Sequence, residues 1–448
     1  MAPKYRTVSP LHQKSPEKKS DGLRRAGNSG RNKFIFTECA RGIACLLALA
    51  MGFIPLKSPA QEGHWVTTWG CGPQLVEPRN LPPVPLAVKT LRQFVHVSIG
   101  GDRLRVRFSN AYGKEPVRIL SARVALATGV GSGGEGNINT RTDLALSFHG
   151  RPSAEIPAGQ AILSNPFAFD LPALTNLAIS IYFGNVSATS LNGHPGSRTT
   201  SFIEPGDVAR SASMPAAQKT EHWYIITGVD VWAHPSAAAL ITLGDSITDG
   251  RGSTTDGNNR WPDDLAQRLQ TNAPTAGVAV VNMGIGGNGI FGGLGPSALA
   301  RFDRDALGQS GVRWIILFEG VNDIGGDRTG HIGAKLIAAY KKLADKAHEK
   351  NLAIYGATIT PFGGNGYYTA SHEAARERVN AWFRTNAVFD GVIDFDAIAR
   401  DPETRTNLYG PFDSGDHLHL NPDGYQAMAN GINLKWFTRR SGRRTVSQ

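Results

Sequence analysis

The chain has 448 residues, 41% apolar and 19% charged, with three cysteines and a net charge of +10. That is longer than one hydrophobic core usually serves, and the composition is that of a globular protein, which excludes a disordered or low-complexity chain. Residues 1–60 hold eleven Lys/Arg and three acids, or +8, and leave only +2 for the rest, so no basic body for binding nucleic acid is expected.

Those first 60 residues read as an export signal with a long basic n-region. The run GIACLLALAMGFIPL (42–56) has the length of a signal h-region and is short for a membrane span. Ser58 and Ala60 supply small residues, so cleavage is expected after Ala60 and the protein is expected to be secreted or periplasmic, with no membrane span in the mature chain. Cys39 and Cys45 fall in this leader, which leaves Cys71 without a disulfide partner and reads as a small packed residue. Metal-ligand spacings are absent, so neither metal nor cofactor is expected.

From 61 to 235 the pattern has period two. In DRLRVRFSN (102–110) Leu104, Val106 and Phe108 alternate with Arg103, Arg105 and Arg107, which predicts one buried and one solvated face. The preceding QFVHVSIGGD ends in Gly100-Gly101, suited to a tight hairpin turn. Further runs are LAISIYFG (177–184) and HWYIITGVDVWA (222–233), and the region is expected to form an all-β sandwich, jelly-roll-like.

From 236 to 438 strands and helices alternate. Near-continuous apolar runs at 239–243, 278–283, 312–318, 352–359 and 391–395 predict five parallel strands, separated by helical patterns such as WPDDLAQRLQ and IGAKLIAAYKKLADKAHEK. This alternation predicts an α/β, doubly wound parallel sheet, whose ligands bind beyond the carboxyl ends of the strands. A basic flexible tail is expected at 439–448.

Four such ends carry chemistry. The first strand delivers Gly244-Asp245-Ser246, where Ser246 is a helix cap or a nucleophile. The second delivers NMGIGGNGIFGGLG (282–295), without the G-K-[ST] of a nucleotide loop but able to aim backbone N–H groups at an oxyanion. The third delivers FEGVNDIGG (318–326), in which Asn322 offers a side-chain amide or ordinary turn chemistry. Near the end, Asp416 and His419 are three apart, so one turn can present both on one side; the carboxylate then holds the imidazole tautomer while the other ring nitrogen faces a serine.

GDSITDG, NMGIGGN, GVND and DHLH, in this order across about 200 residues, resemble the blocks of the SGNH (GDSL-type) hydrolase family. The N-terminal β-region is similar to the leading domain of a bacterial subset of that family. The resemblance implies a flavodoxin-like five-stranded sheet, with Ser246 as nucleophile, His419 as general base and acid, and Asp416 as its orienting carboxylate. It also implies an oxyanion hole of the Ser246 and Gly287 backbone N–H groups and the Asn322 side chain.

The expected activity is a serine esterase for short acyl groups, acetyl foremost, on a polysaccharide or small ester, with Tyr367 and Tyr368 as candidates to stack on sugar. The alternatives are a lysophospholipase or general small-ester hydrolase, and a carbohydrate-binding protein with a degenerate hydrolase domain. Oligomeric state is not legible.

Overall fold

The computed structural model describes residues 62–129 and 134–438, all within one compact unit. The expected leader with its Ala60 cleavage point, Cys39, Cys45 and the basic tail lie outside the described residues.

The period-two alternation of the N-terminal region builds antiparallel sheets. Their main strands are β1 (His64–Gly70), β2 (Lys89–His96), β3 (Gly101–Ser109), β4 (Val117–Leu126), β5 (Asn176–Phe183), β6 (Asn192–His194), β7 (Ser201–Pro205), β8 (Trp223–Tyr224) and β9 (Ile226–Ala233). One sheet runs β1–β9–β3, a second has the spine β7–β2–β5–β4, and a small third sheet joins β8 to β6. Leu104, Val106 and Phe108 are buried as their alternation predicts, in the same core as Leu91, Val95, Ile119, Ile179 and Ile181 of the second sheet.

Two local expectations fail. Gly100-Gly101 is not a hairpin turn: β2 pairs with β5 and β7, β3 pairs with β9, and the glycines carry the chain from one sheet to the other. Alternation looks the same whether the next strand lies beside its predecessor or across the core from it, so sequence could not separate the two. Likewise 222–233 is two strands in two sheets, broken where Ile225 takes a left-handed backbone (φ 68°).

The arginine face of β3 is not uniformly solvated either. Arg103 is exposed, but Arg105 donates to Asp230 (2.8 Å) and to the Ser310 hydroxyl (3.0 Å) and stacks over Trp65. Arg107 donates to Gln309 at 3.0 Å. The polar face of the strand is therefore a seam against the second half of the chain.

That half is α/β. Strands β10 (Ala238–Gly244), β11 (Val278–Gly284), β12 (Val312–Phe318), β13 (Ala353–Ala357) and β14 (Gly391–Ile393) are all parallel, in the order β11–β10–β12–β13–β14. This is the flavodoxin-like doubly wound order. Among the helices are α1 (Ser246–Asp249), α2 (Trp261–Gln270), α3 (Ile332–Glu349), α4 (Ala370–Thr385) and α5 (Pro422–Asn430). The last two strands end earlier than the apolar runs suggest, because Asp394 accepts from the Thr358 hydroxyl (2.9 Å) and caps a helix that begins at Phe395. Among the described residues no helix is long and apolar enough to cross a membrane.

Strand β11 lies at the edge of this sheet, and the β-region covers it. Ser98 Oγ accepts from the Val280 N–H at 3.1 Å and lies 2.9 Å from the Val280 carbonyl. Gly70 at the end of β1 faces Val281 and Met283, where a Cβ would come within 2.9 and 2.7 Å of their side chains. An edge strand left bare is a pairing hazard, and here the other half of the chain removes it.

The buried Asp230 accepts from Thr67 (2.8 Å), Arg105 (2.8 Å) and Ser310 (3.0 Å), which joins three segments from both halves. Asp230→Ala is expected to destabilise the protein by about 2–4 kcal/mol in urea denaturation, because it strands a cation and two hydroxyls in the seam. A loss below about 0.5 kcal/mol would place this cluster with ordinary surface pairs.

Candidate active site

Strand β10 runs into a turn that only glycine permits at position 244: a Cβ there would lie 2.2 Å from the Thr248 hydroxyl and 2.5 Å from the Phe318 carbonyl. Asp245 then caps α1, its carboxylate accepting from the Ile247 N–H at 2.9 Å. This leaves Ser246 as the first residue of α1, so the capping role considered for the serine belongs to its neighbour.

Ser246 Oγ lies 2.8 Å from His419 Nε2, and His419 Nδ1 lies 2.7 Å from Asp416 Oδ2. The other Asp416 oxygen accepts from the amides of Leu418 (3.1 Å) and His419 (2.9 Å), which locks the turn. A carboxylate can only accept, so the proton sits on Nδ1 and Nε2 is free to accept from the serine. His417, adjacent in sequence, turns away to Asp413 at 2.6 Å.

Burial lowers the His419 pKa from its ordinary value; Asp416 opposes the shift, and Arg251 and Arg198 add to it. Burial would raise the Asp416 carboxyl, but the hydrogen bonds from His419 outweigh it and hold the group below its usual range. Arg251 Nε stands 3.7 Å from the same carboxylate.

The glycine loop and Asn322 meet at the same place. Asn322 donates from Nδ2 to the Asn288 carbonyl (2.7 Å) and accepts the Tyr367 hydroxyl on Oδ1 (2.9 Å), which fixes the orientation of its amide. Tyr367, considered as a sugar platform, is instead tied to Asn322, whereas Tyr368 is exposed. Gly287 takes φ 72°, and with Gly286, Asn322, Ser246 and His419 it lines one cleft of about 340 Å³. All five residues singled out from sequence, Ser246, Gly287, Asn322, Asp416 and His419, are thus brought to the carboxyl edge of the sheet. Cys71 is not among them; it is buried, and burial pushes its thiol well up, away from thiolate chemistry.

Residues 242–427 match the model of the GDSL-like Lipase/Acylhydrolase family. This stretch is a GDSL-like acylhydrolase domain, and the protein is an ester hydrolase. A search of curated proteins gave no match. Among solved structures, the chain is similar to the acetylxylan esterase Axe2 from Geobacillus stearothermophilus (21% identity, 46% of this chain and 97% of that one, TM-score 0.35). It is also similar to a family two carbohydrate esterase from Cellvibrio japonicus (13%, 84% and 95%, 0.32) and to a GDSL-like lipase from Bacteroides thetaiotaomicron (16%, 43% and 84%, 0.32).

The candidate site is also braced by residues that sequence reasoning missed. Arg301 is fully buried and donates to the carbonyls of Gly244 and Met283 and to the Asn288 side chain, which ties two of the four blocks together. It also faces Glu319, and burial pushes both Glu319 and Asp245 above their usual carboxyl range while Arg301 pulls the other way. His194 of the β-region lies between Asp249 of α1 (2.9 Å) and the Gly72 carbonyl (2.9 Å), all buried. Both ring nitrogens face oxygen acceptors, so the pair holds two protons on the ring, or one on the ring and one on the carboxyl. Nothing in NGHPG or ALARFDRD distinguishes these side chains from a turn histidine or a solvated helix face.

Gly287→Ala would have to hold a left-handed φ and place its Cβ 2.9 Å from Leu294. Ester hydrolysis by this variant is expected to fall at least tenfold, with stability changed by only about 1–2 kcal/mol. Full activity would exclude the loop backbone at 287 from the chemistry.

Proposed function

We propose that this protein is a serine esterase that removes short acyl groups, acetyl foremost, from carbohydrate outside the cytoplasm. The observation that carries the reading is the relay Ser246 Oγ to His419 Nε2 (2.8 Å) and His419 Nδ1 to Asp416 (2.7 Å), opening into a cleft. Ser246 attacks the ester carbonyl as its proton passes to His419. The tetrahedral oxyanion is held by the Ser246 and Gly287 N–H groups and the second Nδ2 proton of Asn322. His419 returns its proton to the departing alcohol, and water then repeats the attack on the acyl-serine with His419 again as base.

A short acyl chain is supported by the lining. The aliphatic residues of the cleft are Pro195, Leu294 and Leu418, and apart from Tyr367 the remainder is polar or glycine. A long acyl chain would need an apolar groove to compensate for leaving water. The export reading of residues 1–60 supports an extracytoplasmic substrate.

With p-nitrophenyl esters from acetate to palmitate, acetate is expected to be cleaved fastest. Ser246→Ala should lose about 10⁴-fold or more in kcat, and Asn322→Ala about 10²–10³-fold. Equal loss in both variants would contradict the role given to Asn322, and a preference for palmitate would favour a lipid substrate.

The imidazole must be neutral to accept the serine proton, so kcat/KM falls as pH drops through the pKa of His419. Because burial lowers that pKa from its ordinary 6.5, the acid limb of a kcat/KM profile is expected below pH 6.5.

A further inference from the structure

We propose that the cleft selects esters whose alcohol portion carries a carboxylate, such as an acylated uronate, and that Arg198 and Arg251 bind that anion. The proposal rests on the serine-esterase reading above and narrows its substrate class.

Three arginines, Arg79, Arg198 and Arg251, line the cleft that contains Ser246 and His419. Arg198 is held in place by its backbone. It takes a left-handed φ of 50°, its carbonyl accepts from the Asp256 N–H (2.8 Å), and Thr200 is bound to the Asp256 carboxylate through both its N–H (2.8 Å) and its hydroxyl (2.7 Å). For a non-glycine residue that conformation costs free energy and persists only where the surroundings impose it. Arg198 Nε is buried and has no hydrogen-bond partner within the protein, and no carboxylate among the described residues forms an ion pair with Arg198.

The carboxylates on the same wall do not answer these cations. Both Glu77 oxygens are engaged, by Gln74 (2.7 Å) and Asn80 (2.9 Å), and Asp249 meets His194 through Oδ1 while its Oδ2 is buried without a hydrogen-bond partner and makes no ion pair with these arginines. Arg251 stands 3.7 Å from Asp416, which His419 already occupies, and its side chain is 62% exposed. An acyl chain offers these donors no acceptor and a neutral sugar offers hydroxyl oxygens without charge, whereas a carboxylate matches both the charge and the forked geometry of a guanidinium.

The side of the ester follows from the site. The carbonyl oxygen belongs with the Gly287 loop and Asn322, and the departing alcohol oxygen belongs with His419. Arg251 stands 3.7 Å from Asp416, the partner of His419, which places it on the His419 side of the cleft, the side of the departing alcohol, and Arg198 lines the same cleft.

The test compares 4-acetoxybenzoate with 4-acetoxybenzamide, which differ in charge at nearly constant shape, with p-nitrophenyl acetate as a third substrate. The wild-type enzyme is expected to favour the benzoate at least tenfold in kcat/KM at low salt, the preference shrinking as salt screens the charges. In Arg198→Met and Arg251→Met the benzoate-to-benzamide ratio is expected to fall at least tenfold. A wild-type ratio near or below one overturns the proposal whatever the variants do, and so does an unchanged ratio in both variants. If the wild type cleaves none of the three while Ser246 is intact, the serine-esterase reading fails instead.

Discussion

The structure depends on a buried polar seam between an antiparallel β-region and a parallel sheet whose edge strand needs covering. A strand edge holds N–H and C=O groups that must find partners or water. Ser98 meets Val280 on that edge, Asp230 gathers Thr67, Arg105 and Ser310, and His194 reaches Asp249. Each of these groups is costly to bury alone and tolerable only when its partner arrives, so the seam sets one relative placement of the two regions.

That placement bears directly on the chemistry. Asp249 closes the short helix that begins at Ser246, so the β-region, through His194, braces the segment carrying the serine. From beneath, Arg301 draws together the carbonyls of Gly244 and Met283. Ser246 therefore stands on a turn held by buried polar groups from two directions, the kind of rigid support that the proposed nucleophile needs to stay within reach of its proposed base, His419.

Much of the fold was legible because its periods are strong. Five apolar runs matched five parallel strands, and Ser246, Asn322 and the Asp416–His419 turn were placed by the rule that α/β sheets present ligands at strand ends. The failures are equally specific. Gly100-Gly101 joins strands of different sheets, and Arg105 and Arg107 meet Asp230 and Gln309 rather than water alone. Local alternation records which residues face inward without recording which strand is the neighbour or what lies over the polar face.

The sequence by itself determined the strands, the helices and the order of the chemical residues along them, since these follow from local periodicity and from turn chemistry within a few residues. Only the tertiary structure decided that His194 lies against Asp249, that Arg301 binds the ends of two strands, and that Arg198 from the β-region shares a cleft with Ser246. Those relations join residues tens of positions apart. They arise when the chain satisfies buried charges and an open sheet edge at once, a condition on the packed whole that no short stretch of sequence carries.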